Sequence, residues 1–135
     1  MLWGVARSAR LALLLGIRAS RLSRVKIRAS QLNGCAYCIA LHTRDARRAG
    51  ESEQRLYALA AWRESPLFTE RERMALELTD VITGIGESGV PDAVYERAAS
   101  EFSAAELANL IFAITAINAW NRIAVSSGLV FADTP

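Results

Sequence analysis

Ser103-Ala104-Ala105-Glu106-Leu107-Ala108-Asn109-Leu110-Ile111-Phe112-Ala113-Ile114-Thr115-Ala116-Ile117-Asn118-Ala119-Trp120-Asn121-Arg122-Ile123-Ala124-Val125-Ser126 decides the fold class. It opens on a capping box: Ser103 can accept from the backbone of Glu106, and Glu106 can reach back to Ser103. The run is too long for a strand, and apolar residues recur three and four apart. It predicts one long helix, Ala104 to Ser126. Leu107, Leu110, Ile111, Ile114, Ile117, Trp120 and Ile123 are expected on its buried face.

Upstream segments read the same way. Pro91 suits the first turn of a short helix, Asp92 to Ala99. Thr69-Glu70-Arg71-Glu72 is a second capping box, starting a helix that runs to about Thr83 with Met74, Leu76, Leu78, Val81 and Ile82. Ser52 caps a helix carrying Leu56, Leu59, Ala60 and Trp62, which Pro66 stops. Another helix runs from Ala36 to Arg48, with Gly50 closing its C-terminus. Ser30 to Gly34 reads as a polar break. No stretch has a convincing period of two, so the expected fold is all-α. Gly84-Ile85-Gly86-Glu87-Ser88-Gly89 spells G-x-G-x-x-G. The dinucleotide fingerprint needs a strand before it, so this is an interhelical loop and no cofactor is expected.

The chain has 135 residues, 52% hydrophobic and 22% charged. That is one domain with one core, and it excludes intrinsic disorder. Two cysteines cannot make a disulfide-dense scaffold. The longest apolar run, Leu11 to Ile17, ends at Arg18 and is too short to span a membrane. So much apolar helix surface in a small chain points to oligomerisation.

The net charge of +2 hides an asymmetry: through Gly50 there are ten basic residues and one acid, Asp45, giving +9; beyond it six basic and thirteen acidic residues give −7. The basic third lacks interleaved aromatics and any known reading module, so no nucleic-acid partner is expected. Residues 1–21 form an atypical basic segment. It reads as a helix packing Leu11, Leu14 and Leu15 with Leu22, as a transit or short signal peptide, or as a start that replaces the domain's natural one. No cleavage site is convincing, and the default location is cytoplasmic. The domain proper spans 22–127, and 128–135 form a tail.

Both cysteines lie in one motif, Cys35-Ala36-Tyr37-Cys38, and the single histidine, His42, follows. Residues on a helix advance by about 100°. Cys38 and His42 therefore share a face, and Cys35 falls on nearly the same stripe. At a helix N-terminus, free N–H groups and the macrodipole favour a thiolate. A thiolate attacks peroxides or disulfides, a second thiol captures the sulfenic acid, and an imidazole carries the proton. Rival readings are a zinc site that lacks a fourth ligand, a structural disulfide, and two buried cysteines with a capping histidine. No metal is expected.

Arg28-Ala29-Ser30-Gln31-Leu32-Asn33-Gly34-Cys35-Ala36-Tyr37-Cys38 with His42-Thr43 resembles the core signature of the carboxymuconolactone decarboxylase-like superfamily, in its alkylhydroperoxidase AhpD-like branch. Ala49-Gly50-Glu51, Arg55 to Leu59, Trp62 to Arg73 and Ala116 to Arg122 are also similar, so the resemblance covers roughly residues 22–125. It implies an all-helical fold assembled as trimers or hexamers. It also implies a hydroperoxide-reducing dithiol renewed by a thiol or lipoyl-type reductant, with no cofactor beyond the Cys35–Cys38 disulfide. By resemblance Cys38 is the peroxidatic cysteine, Cys35 the resolving and reductant-facing one, and His42 the proton relay. Tyr37 stands where the peroxidase prototype has a second histidine. The family usually has a glutamate twelve residues before the first cysteine to orient that relay; here the position is Ser23, which supplies no carboxylate. A redox-sensing or disulfide-exchange protein is the alternative, and a decarboxylase is a minor third reading.

Overall fold

A computed structural model describes residues 19–132. The expected packing of Leu11, Leu14 and Leu15 lies outside them. Among the described residues six α-helices follow one another: α1 Ala19–Leu32, α2 Ala36–Arg48, α3 Glu53–Ala58, α4 Glu70–Thr83, α5 Asp92–Glu101 and α6 Ala104–Ser127. A single 3₁₀ turn, Leu59–Ala61, follows α3, and the described residues contain no strand. Both capping boxes form, Thr69 with Glu72 and Ser103 with Glu106. Ser52 caps α3, but the helix gives way to the 3₁₀ turn well before Pro66. Pro91 sits one place ahead of α5, which runs on to Glu101. The G-x-G-x-x-G stretch is the loop from α4 to α5.

α1 is the hub, packing on α2, α4 and α6. Its Leu22 and Val25 join Met74, Leu78, Val94, Phe102, Leu107, Leu110 and Ile114 in one apolar cluster. Its Ile27 joins Ala46, Leu56, Leu59, Trp62, Phe68 and Leu76 in another. The charge asymmetry resolves at the same helix. Arg24 is 5% exposed and bonds Glu51 and Glu72, which Arg55 also holds. Arg28 Nε donates to Asp80 at 2.6 Å, and the Trp62 indole donates to Asp80 at 3.2 Å. Buried guanidiniums need partners of this kind, and the acidic later helices provide them.

Two expectations are corrected. Ser30 to Gly34 is not all break: α1 continues through Leu32, with Ser30 fully buried. The Ser30 hydroxyl donates to the Lys26 carbonyl at 2.7 Å, so it needs no outside acceptor. On α6, Leu107, Leu110, Ile114 and Ile117 are buried as expected, while Trp120 is 63% and Ile123 53% exposed. The buried stripe passes instead through Asn118, Asn121 and Ala124. A helix apolar on every side does not announce which face turns inward. Trp62 packs in the core as expected; Trp120 does not.

Candidate active site

The turn that presents the cysteines begins at Gly34, whose φ of +65° suits a residue without a Cβ. Gly34 N–H donates to Gln31 O at 3.2 Å and Cys35 N–H to Ser30 O at 3.0 Å. That pair of bonds is a Schellman motif closing α1. The residue that completes it, Cys35, is also the N-cap of α2, and its sulfur accepts from Cys38 N–H at 3.3 Å. One residue thus ends one helix and starts the next. Cys35 and Cys38 are disulfide-bonded, with Cα atoms 5.3 Å apart.

A polar network anchors this turn to α6. Asn33 Nδ2 donates to Asn118 Oδ1 at 2.8 Å and to Asn121 Oδ1 at 2.9 Å. Asn121 Nδ2 donates to Ser30 Oγ at 3.0 Å, and Asn118 Nδ2 to Thr83 Oγ1 at 3.0 Å. Arg122 donates back to Asn118. The side-chain amides of Asn33, Asn118 and Asn121 thus find partners within the network. Asn121 is therefore a buried tie between α6 and the end of α1, a role the sequence alone did not single out.

Both cysteines are buried, Cys35 at 1% and Cys38 at 3% exposed, against Ala124 and Tyr37. Tyr37 meets Phe131 of the tail edge-on, with ring centroids 5.8 Å apart. The Arg44 guanidinium lies 5.1 Å from the Phe131 ring. On the neighbouring face of α2, Ala36, Ile39, Ala40, Thr43, Arg44, Arg47 and Phe131 line a groove of about 500 Å³.

His42 is half-buried one turn beyond Cys38. Burial, and then the positive charge of Lys26, push its pKa down from 6.5 to about 4. It is thus a neutral imidazole at neutral pH, able to accept a proton. Lys26 is itself lowered by burial, with the Asp45 carboxylate acting in the opposite sense. α2 thus carries Cys38 and His42 one turn apart, with Cys35 bonded to Cys38 from the N-cap position. Ser23, half-buried on α1, supplies no carboxylate to His42. Sequence reasoning missed Lys26 and Asp45, although each lies three residues past a singled-out position, Ser23 and His42. Among the described residues, no group of three or more His, Cys, Asp or Glu is placed to hold a metal ion. No described helix is long and apolar enough to cross a membrane.

The sequence matches the Carboxymuconolactone decarboxylase family over residues 7–80. This chain belongs to that family. The match begins ahead of Leu22 and ends on α4. YdfG of Bacillus subtilis (strain 168), an uncharacterised protein, is 46% identical over 104 residues, 77% of this chain and 71% of YdfG. YnjA of Escherichia coli (strain K12), also uncharacterised, is 37% identical over 89 residues, 65% of this chain and 48% of YnjA. The crystal structure of ATU0492 from Agrobacterium tumefaciens has a TM-score of 0.87 and 38% identity, covering 96% of this chain and 89% of that one. ATU0492 is described as a protein of unknown function, proposed to be the antioxidant defence protein AhpD. A peroxidase-related protein from Silicibacter sp. TM1040 has the same fold, with a TM-score of 0.77 at 20% identity over 85% of this chain and 60% of that one. Carboxymuconolactone decarboxylase family membership and the AhpD-like fold are thus shared with proteins whose own activities are open.

Proposed function

We propose that this chain is a thiol-dependent peroxidase of the alkylhydroperoxidase type, reducing organic hydroperoxides with its own dithiol. The observation that carries the reading is the bonded Cys35–Cys38 pair at the start of α2, one turn from the single histidine. In the reduced protein, His42 takes the proton of the Cys38 thiol. The thiolate attacks the outer peroxide oxygen: an S–O bond forms, the O–O bond breaks, and His42 returns its proton to the departing alkoxide. Cys35 sulfur then attacks the Cys38 sulfenic acid. The S–S bond forms, and the hydroxyl leaves as water with the Cys35 proton. Two electrons have passed from the thiols to the peroxide. An external dithiol, of the lipoyl or a related type, restores the pair and is itself oxidised to a disulfide.

A neutral His42 is a weak base until the thiolate forms beside it. That negative charge then stabilises the imidazolium, and the proton moves within one helical turn. The cycle needs a reducing compartment, which fits the cytoplasm. The exposed stripe of Phe112, Ala119 and Ile123 along α6 supports assembly of several copies, as a trimer or hexamer. A redox sensor or disulfide exchanger is the second reading. Ser23 in place of a carboxylate, and two cysteines almost sealed from solvent, favour it.

Hydroperoxide consumption with a dithiol reductant, wild type against Cys38→Ser across several pH values, separates the two. Turnover that disappears in the variant supports the peroxidase. A wild type that cycles its disulfide but consumes no peroxide supports the sensor.

A further inference from the structure

Cys35 and Cys38 are buried, yet both disulfide exchange and peroxide attack require a reagent to reach a sulfur atom. The cluster around the sulfurs shows where the way in lies. Ala124 of α6 is buried with them. Tyr37 packs against the same cluster and is half-buried, so within this cluster it is the side chain that reaches solvent. A second aromatic residue holds its ring. Gly128, at a φ of +65°, ends α6, and Leu129 N–H donates back to Ala124 O at 3.0 Å. This close is of the Schellman type and sets the direction of the chain that follows. Leu129 and Val130 are exposed, and the segment takes hold at Phe131. The Phe131 ring meets Tyr37 edge-on, with centroids 5.8 Å apart, and the Arg44 guanidinium lies 5.1 Å from its centroid. Phe131 also borders the groove of about 500 Å³ along α2, so its ring has open space to swing into.

We infer that Tyr37 is the gate of the dithiol and that Phe131, brought back from the end of α6, is its latch: the Cys35–Cys38 pair meets hydroperoxide or reductant while the two rings are apart. The inference deepens the dithiol reading above and rests on it for the need of reagents to reach these sulfurs. Opening requires no change in the helices. Tyr37 is the second residue of α2, and its side chain moves between staggered rotamers about its own χ angles. The contacts that hold it are an aromatic pair and a cation beside the second ring. Such contacts are weak enough to break often and strong enough to leave the closed form in the majority. On the α1 side the turn is tied instead, since Asn33 donates to Asn118 and Asn121 and Asn121 donates to Ser30. Opening on the tyrosine side leaves that network intact. The gate reconciles the burial of the two sulfurs with a chemistry that needs them reached.

The test is the rate at which dithiothreitol reduces the Cys35–Cys38 disulfide in the oxidised full chain. One dithiothreitol thiolate attacks a sulfur of the pair, the S–S bond breaks and a mixed disulfide forms. The second dithiothreitol thiol then closes the oxidised reagent into a ring and leaves both cysteines as thiols. No peroxide is used, so the result does not depend on whether the protein is a peroxidase or a sensor. Phe131→Ala should speed reduction about two- to tenfold, the range that the lost ring contact is worth. Phe131→Tyr keeps a ring and should stay near the wild-type rate. Tyr37→Ala removes the gate itself and should be at least as fast; adding Phe131→Ala to it should change nothing further. That non-additivity separates a latch from a loosened fold. If Tyr37→Ala does not fold, the two variants at position 131 decide. A folded Phe131→Ala reduced at the wild-type rate would overturn the inference. So would a Phe131→Tyr as fast as Phe131→Ala, or an equal acceleration by Phe131→Ala in the wild-type and Tyr37→Ala backgrounds.

Discussion

Asn33 Nδ2 stands 2.8 Å from Asn118 Oδ1, joining the residue just before the dithiol turn to the middle of α6. Asn33→Ala removes this bond and the one to Asn121, leaving the buried Asn121 Oδ1 without that donor. The expected loss is about 1–3 kcal/mol in a urea titration. Asn33→Asp should be worse at neutral pH, because a carboxylate would face two amide oxygens. An aspartate variant as stable as wild type would show that the amide donor is not what holds the turn.

Glu72 closes the α4 capping box and receives both Arg24 and Arg55. Burial alone would raise its carboxyl pKa; the Thr69 N–H and the two guanidiniums outweigh that and leave it below 4.5. Glu72→Gln keeps the shape and deletes the charge opposite buried Arg24. A destabilisation of about 2–4 kcal/mol is expected, since a buried cation loses a counter-charge. The thermal midpoint of the variant should also depend less on acid below pH 4.5 than that of wild type.

His42 sets the pH response above that range. The unfolded chain takes up its imidazole proton near pH 6.5, the folded chain only near 4. Between these values the unfolded state binds more protons, so stability falls as the pH is lowered, by at most about 3 kcal/mol. Above 6.5 the contribution is complete and flat. As the only histidine, His42 gives an imidazole NMR signal that can be titrated without assignment. A midpoint near the ordinary value, or an unchanged slope in His42→Asn, would contradict this environment.

Phe112 and Ile123 are the exposed apolar positions on which the proposed assembly depends. Phe112→Lys with Ile123→Lys should lower the mass in sedimentation equilibrium and leave the helical circular dichroism unchanged. An unchanged mass would place the contact elsewhere.

How much of this is visible in the sequence depends on distance along the chain. Thr69 and Ser103 mark helix starts because a capping box is complete within four residues. Cys35, Cys38 and His42 are legible for the same reason: one helix gathers them. Trp120 is misplaced by periodicity, and the burial of Asn121 is not signalled by it, because α6 is apolar on all sides. Which face is covered depends on Asn33 and Ser30, eighty-eight and ninety-one residues away from Asn121. Lys26 acts on His42, and Asp45 on Lys26, only once α1 lies against α2, and no local pattern states that.

The ion pairs of α1 also order events during synthesis. Arg24 reaches Glu72 over a separation of 48 residues, and Arg28 reaches Asp80 over 52. A nascent chain that has emerged only as far as Gly50 carries ten of the sixteen basic residues and, but for Asp45, none of the acidic side chains. The central helix would have to desolvate two guanidiniums without counter-ions, which opposes burial. It must therefore stay solvated until α4 leaves the ribosome. The dithiol turn at its end is made early, but acquires its buried, protected setting only when nearly the whole domain has been translated, since Asn118, Asn121 and Ala124 come last.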